Sequence, residues 1–131
     1  MDLPGPYVLA VTPITAPLSA QAFTPIVGLN GMASVTLEAE LQGGTGGSSV
    51  TVRVQSRIGS SGTWREIARF DFTGAAAKSC TIAAGAASVA ALAALNADAV
   101  LQGFLGTDLQ AVVTSTGTYA GTVLAVRAAV R

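Results

Sequence analysis

Apolar and polar residues alternate through most of the stretch from residue 29 to residue 72, a pattern that predicts β-strands with one buried and one solvent-exposed face. The apolar positions are Val35, Leu37, Ala39 and Leu41 in the first strand, and Val50, Val52 and Val54 in the second. The glycine-rich segment 43–47 lies between the two strands, and we expect it to form a hairpin loop. Symmetric closure of that loop would place Glu38 opposite Arg53 on the exposed face.

A third strand is predicted to begin at Trp64. The side chains in phase with Trp64 are those of Ala68, Phe70 and Phe72, so that three large rings on one face would supply much of the core. Strict alternation places Ile67 on the opposite, outward face. An isolated apolar side chain in that position could contact a neighbouring protein.

Four arginines bear on how the second and third strands pair. Arg53 and Arg57 share the outward face of one strand, and Arg65 and Arg69 share that of the next. Direct opposition of like charges is unfavourable, so we expect the strands to be offset or to lie in different sheets. The alternative is that an acidic neighbouring subunit supplies the balancing charge.

The last third of the chain contains two further predicted strands, at residues 109–116 and 122–130, joined by the turn 117–121. The inward residues of the last strand are Leu124, Val126, Ala128 and Val130. The alanine-rich region before these strands contains a predicted strand at 78–82 and at most one short helix, at 86–95. Short strands with glycine turns and little helix are typical of an all-β fold, either an antiparallel β-sandwich or a jelly-roll-like barrel.

The first thirty residues differ from the rest, because five prolines interrupt their apolar segments. Proline lacks the N–H that a central strand needs, so we predict edge strands or an extended N-terminal arm at residues 1–30. A single sandwich domain is predicted at residues 31–131. Two arrangements are open for the N-terminal segment: it packs on its own sandwich, or it lies across a neighbouring subunit.

The composition favours a protein whose surface is largely covered by other protein. Half of the 131 residues are apolar, 11% are charged and the formal net charge is zero, whereas soluble domains carry about a quarter charged residues. Without a basic excess we expect no direct binding to nucleic acid. The most apolar run, at residues 83–95, is too short to span a membrane, and the N-terminus lacks the features of a signal peptide.

Few residues of this chain could support catalysis. It has no histidine, which removes the Ser-His and Cys-His pairs of nucleophilic catalysis and the usual zinc ligand sets. The glycine segment 43–47 lacks the Gly-Lys-Ser/Thr sequence of a phosphate loop. Cys80, the single cysteine, is predicted to be a buried and inert thiol. We therefore expect no enzyme activity, no cofactor and no metal.

The order of motifs in this chain resembles that of a known family. Leu-Asn-Gly-Met at 29–32 is followed by the glycine-rich loop, Val-x-Val-Gln-Ser at 52–56, Gly-Thr-Trp at 62–64 and Ile-Ala-Arg-Phe-Asp-Phe-Thr at 67–73, and segments 103–106 and 114–121 fit the same pattern. This order is similar to that of small virion and prophage structural proteins of tailed bacteriophages, from about residue 18 to the C-terminus. The turn 58–62 departs from the family, because it lacks the acidic Asp-Gly sequence that is more usual there.

The resemblance implies a capsid decoration (cement) protein of the virion. Such proteins are made in the cytoplasm of the bacterial host, assemble as homo-oligomers, often trimers, and bind the major capsid protein on the outside of the head. A phage tail or neck component is one alternative, and a carbohydrate-binding (lectin-like) module is another. The side chains that we expect to contact other subunits or the capsid are Tyr7, Leu9, Val11, Phe23, Arg53, Arg57 and Ile67.

Overall fold

The computed structural model describes residues 5–29, 32–47, 49–85 and 93–131, and the regular structure within these ranges consists of β-strands. They are β1 (Gly5–Ile14), β2 (Gln21–Ala22), β3 (Ser34–Gln42), β4 (Thr45–Gly46), β5 (Ser49–Arg57), β6 (Arg65–Phe72), β7 (Ala76–Ala83), β8 (Asp108–Thr116), β9 (Tyr119–Ala120) and β10 (Thr122–Val130). No helix occurs within the described ranges, and most of the helix predicted at 86–95 lies outside them.

The long strands form two four-stranded antiparallel sheets. Sheet I has the order β1-β10-β3-β7, sheet II has the order β2-β8-β5-β6, and β4 and β9 form a separate two-stranded ribbon. The alternating apolar residues of both sheets meet in one core, where Leu37, Val52 and Leu124 are completely shielded from solvent. The predicted all-β, antiparallel sandwich is therefore confirmed.

Residues 5–29 contribute an edge strand to each sheet. β1 pairs with β10, β2 pairs with β8, and Ile26 adds a single bridge to Leu109 of β8. Pro6 and Pro13 on β1 are compatible with this position, because an edge strand forms ladder hydrogen bonds on one side only. The inward side of β1 packs on the sandwich of its own chain, and the buried Ile14 belongs to the core.

β3 and β5 do not form a hairpin, so the pairing expected from the sequence is wrong. The glycine segment carries the chain from sheet I to sheet II, with positive φ angles at four of its glycines, and β4 within it pairs with β9. Glu38 therefore faces Arg127 of β10 instead of Arg53, at a distance of 3.1 Å between Oε1 and Nη1. Segment 117–121 likewise crosses between the sheets, from β8 to β10.

A β-bulge in β6 changes the direction of one predicted surface residue. Ala68 pairs with Val54 and Glu66 pairs with Gln55, which leaves Ile67 as an extra residue in the strand. A bulge interrupts the alternation of inward and outward side chains. The side chain of Ile67 is completely buried, so the prediction that it points outward is wrong and it cannot contact another protein.

A second bulge lies in β1. Val8 and Ala10 pair with successive residues of β10, and Leu9 between them has no partner in the register. As a result, the side chains of Leu9 and Ala10 are both buried in the core. Leu9 therefore packs inside its own sandwich and is not available to a neighbouring subunit. The prediction that Leu9 contacts another subunit or the capsid is wrong.

Residues 95–103 lie along the lateral side of the sandwich opposite β1. The N–H of Leu101 donates a hydrogen bond to the carbonyl of Ile67 on β6 at 2.9 Å, and the N–H of Gly103 donates to the carbonyl of Ala83 on β7 at 3.0 Å. The segment thus occupies backbone groups at the edges of both strands. Covering an edge in this way hinders the addition of a foreign strand.

Candidate interaction surface

Three loops meet where β5 ends and β8 begins, and we call this region the loop end: residues 26–29, 58–64 and 104–107. Backbone hydrogen bonds connect these loops. The N–H of Leu29 donates to the carbonyl of Thr107 at 2.7 Å, and the N–H of Thr107 donates to the carbonyl of Arg57 at 2.7 Å. The hydroxyl of Thr107 also accepts a 2.8 Å hydrogen bond from the N–H of Gly59. Each loop is therefore held by the others.

The carboxylate of Asp108, the first residue of β8, joins the parts of the loop end. It accepts hydrogen bonds from Nε of Arg57 at 2.7 Å, from the N–H of Gly28 at 3.2 Å and from the hydroxyl of Thr107 at 3.2 Å. Asp108 is only 3% exposed. Burial by itself raises the pKa of the carboxyl, but these hydrogen bonds outweigh burial and lower the pKa of Asp108 below its ordinary value. The group is therefore ionised at neutral pH.

Arg57 is fixed from two sides. In addition to its ion pair with Asp108, its guanidinium lies over the ring of Trp64, 4.3 Å from the ring centroid. A planar guanidinium stacks favourably on an indole ring. The half-buried Trp64 thereby connects the turn 58–62 to the end of β5.

Ser56 and Gly106 complete the base of the loop end. The completely buried hydroxyl of Ser56 donates to the carbonyl of Asp108 at 2.8 Å and accepts from the N–H of Gly106 at 2.9 Å. A Cβ atom at position 106 would collide with the carbonyl of Arg57. Glycine is required there because the two backbones approach so closely.

Two large aliphatic side chains project from this base into solvent. Val27 is 51% exposed, and Ile58, at the start of the turn 58–62, is 66% exposed. The turn is closed by a 3.2 Å hydrogen bond from the N–H of Gly62 to the carbonyl of Gly59. Binding residues often lie on loops that a rigid scaffold positions, so these two side chains are candidates for a contact with another protein.

The outer face of β1 exposes a second group of apolar residues. Val8 and Val11 are 56% and 59% exposed, and the exposed prolines of β1 flank them. Val11 is therefore accessible to a partner. Tyr7 and Phe23, which were also expected to make contacts, are half-buried and pack against the core of their own chain.

Arg53 and Arg69 lie directly opposite each other on β5 and β6. The expectation that the strands avoid this opposition by an offset or by lying in different sheets is wrong for this pair. Charges of the same chain balance it instead: Arg69 forms two 2.9 Å hydrogen bonds to the carboxylate of Asp71, and Nε of Arg53 lies 3.6 Å from Glu66. Burial raises the pKa of Asp71, but the hydrogen bonds from Arg69, the N–H of Asp98 and Thr51, together with the charge of Arg69, outweigh burial and lower the pKa below its ordinary value.

The sequence points to only part of the loop end. It predicts Arg57 as a contact residue, and the structure places Arg57 in the base beneath the exposed side chains. It points to neither Val27 nor Ile58, because a single aliphatic residue in a loop has no periodic pattern to distinguish it. The sequence alone likewise does not distinguish Asp108 from a carboxylate that is exposed to solvent. The one local signal is Gly-Thr-Asp at 106–108, which lies at the start of a predicted strand and is typical of a tight turn.

Two observations concern metal ligands and the single thiol of the chain. No group of three or more potential metal ligands occurs among them. Cys80 is half-buried on β7, and burial raises the pKa of its thiol to about 11, so the thiol is protonated at neutral pH. The same part of the chain contains no helix long and apolar enough to cross a membrane.

The chain was compared with known protein families, with curated proteins and with solved structures, and none of them matches it. No family membership follows from these comparisons.

Proposed function

We propose that this chain is a non-enzymatic structural protein of a tailed-bacteriophage virion: a capsid decoration protein that binds the major capsid protein on the outside of the head, as a homo-oligomer, and stabilises the shell. The observation that carries the proposal is the loop end, where Val27 and Ile58 face solvent on a base fixed by Asp108. The motif order shared with small virion proteins and the low charge of the chain support it.

Binding of the loop end to a capsid would remove apolar surface from water. Complete burial of one valine or isoleucine side chain contributes about 1.5–3 kcal/mol, and the loss of translational freedom on association offsets part of that gain. Loops that are fixed before binding lose little conformational entropy when they bind. A modest contact can then stabilise a shell, because it is repeated at every copy.

The proposal is tested by mixing the purified protein with undecorated capsids of the phage or prophage that encodes it, and sedimenting the capsids. We expect the wild-type protein to co-sediment at a near-stoichiometric copy number. Ile58→Asp should bind less, because the contact would bury an unpaired charge. Its thermal unfolding should remain that of the wild type, since Ile58 is largely exposed. Val100→Asp changes an exposed valine beside β6 in the same way and is the matched control.

Three results would count against parts of this proposal. Failure of the wild-type protein to bind any capsid would contradict the decoration function. Equal binding by Ile58→Asp and Val100→Asp would show that the loop end is not the contact. Assembly into a larger ring that binds tails or necks instead of heads would favour the alternative virion location.

A further inference from the structure

Two arginines flank the turn between β5 and β6, and each lies over an aromatic ring of the loop end. The guanidinium of Arg57 lies over Trp64, and that of Arg65 lies over Phe104, 5.5 Å from the ring centroid. Arg57 is also paired with the carboxylate of Asp108 at 2.7 Å. Arg65 forms no ion pair and donates no side-chain hydrogen bond within the part of the chain that the structure describes. It therefore has only half of the arrangement that holds Arg57.

The described part of the chain leaves no carboxylate for Arg65. Every acidic side chain there already lies within 3.8 Å of another basic group. The pairs are Glu38 and Glu40 with Arg127, Glu66 with Arg53, Asp71 with Arg69, Asp98 with Lys78, and Asp108 with Arg57. Arg131 also lacks a carboxylate in these ranges, but it is exposed to water, whereas Arg65 is half-buried.

Arg65 is positioned at the base of the loop end. It pairs in the register of β5 and β6 with the buried Ser56, whose hydroxyl accepts a hydrogen bond from the loop residue Gly106. Ile58 follows Ser56 by two residues, a stretch of chain that spans at most about 7 Å. The unmatched guanidinium and the exposed Ile58 side chain are therefore close enough for one partner surface to cover both.

We propose that the loop end binds an acidic site of the capsid, in which a carboxylate of the major capsid protein pairs with Arg65 beside an apolar patch that covers Val27 and Ile58. The inference rests on the proposed function, because it names the chemistry of the shell surface at the same contact. A guanidinium presents N–H donors in a plane that matches a carboxylate bidentately. The contact with the ring of Phe104 uses none of these donors, so they remain available to a partner.

Charge makes this contact more selective than its apolar residues alone would. An apolar surface laid over Arg65 would remove water from the guanidinium without replacing its hydrogen bonds, which is unfavourable. A basic surface would add repulsion. A carboxylate replaces the lost hydrogen bonds with charge-assisted ones, and arginine beside aromatic rings is typical of the residues that dominate protein interfaces.

The test is the affinity of the purified protein for undecorated capsids of the phage or prophage that encodes it, measured by co-sedimentation at increasing sodium chloride concentration. We expect the wild-type protein to bind less tightly as salt is added, because the ion pair is screened. Arg65→Gln should bind about tenfold more weakly at low salt, and its affinity should depend less on salt. Arg65→Lys keeps the charge and should retain the salt dependence of the wild type.

Arg127→Gln is the matched control. It removes one positive charge as Arg65→Gln does, but Arg127 pairs with Glu38 at the middle of β3, away from the loop end. Its affinity for the capsids should be that of the wild type. Thermal unfolding checks that each variant folds.

A second measurement uses the wild-type protein alone, so it remains decisive if Arg65→Gln does not fold. Carboxylates on the undecorated capsids are converted to neutral amides with a carbodiimide and ethanolamine. The wild-type protein should bind these capsids about as weakly as Arg65→Gln binds untreated ones, because the partner of Arg65 has lost its charge.

Two results would overturn the inference. One is folded Arg65→Gln that binds with the affinity and salt dependence of the wild type; the other is wild-type protein that binds treated and untreated capsids equally. Both results leave the decoration function standing, because the wild-type protein still binds capsids. Wild-type protein that binds no untreated capsid would instead contradict the proposed function, and this inference with it.

Discussion

Replacing Asp108 by alanine would remove the group that holds the loop end together. The change deprives Arg57, the N–H of Gly28 and the hydroxyl of Thr107 of a common acceptor. A hydrogen bond to a charged group contributes about 1.5–3 kcal/mol. The bonds from Gly28 and Thr107, at 3.2 Å, are longer than charge-assisted hydrogen bonds usually are, so we count each of them at about 0.5–1.5 kcal/mol. We take the lower end for Arg57, because its guanidinium is partly exposed and also rests on Trp64.

The sum predicts that Asp108→Ala lowers the free energy of unfolding by about 3 kcal/mol, which corresponds to a Tm lower by about 10 °C for a domain of this size. Thermal and urea unfolding followed by circular dichroism would measure the change. Glu38→Ala is the control, because it breaks an exposed ion pair with Arg127 and should change stability by less than about 0.5 kcal/mol. Equal losses in the two variants would refute the reasoning.

Four further outcomes are expected. The pKa of Asp108 is lowered in the folded state, so the stability that its ionised carboxylate contributes is present above the unfolded-state pKa of about 4 and is lost as the pH falls through the folded-state value. Asp108→Asn should therefore flatten the acid limb of the plot of unfolding free energy against pH. Gly106→Ala should destabilise the fold by about 2 kcal/mol or more, measured by urea unfolding, because of its collision with Arg57. Ile67→Ala should lower stability by about 2–5 kcal/mol, whereas Ile58→Ala should leave the urea midpoint nearly unchanged. Cys80 should react with iodoacetamide at pH 8 far more slowly than after unfolding in urea, and equal rates would contradict the raised pKa.

The strands were predictable because alternation with a period of two reports burial directly. The last strand, predicted at 122–130, is β10 with the same bounds, and the strand predicted at 109–116 begins one residue earlier as β8. The apolar positions named for β3, β5 and β10 all lie in the core. The local alternation of apolar and polar residues determines which side chains of these strands are buried, so their position could be predicted without knowing which strands they pair with.

Strand partners and bulges were not predictable in the same way. The glycine segment between β3 and β5 has the length and composition of a hairpin loop, but it crosses between the sheets because β10 and β8 pair with these strands instead. Those pairings join residues far apart in the sequence. The bulge at Ile67 likewise depends on how β6 fits against β5, and the loop end depends on contacts among three separate loops.

The number of copies bound per capsid tests the decoration function most directly. Undecorated capsids would be titrated with the wild-type protein, sedimented, and assayed for bound protein and for resistance to heat. The account predicts saturation at a fixed ratio to the major capsid protein, together with capsids that withstand a higher temperature once loaded. Binding that never saturates, or saturation that leaves the heat resistance of the capsids unchanged, would contradict it.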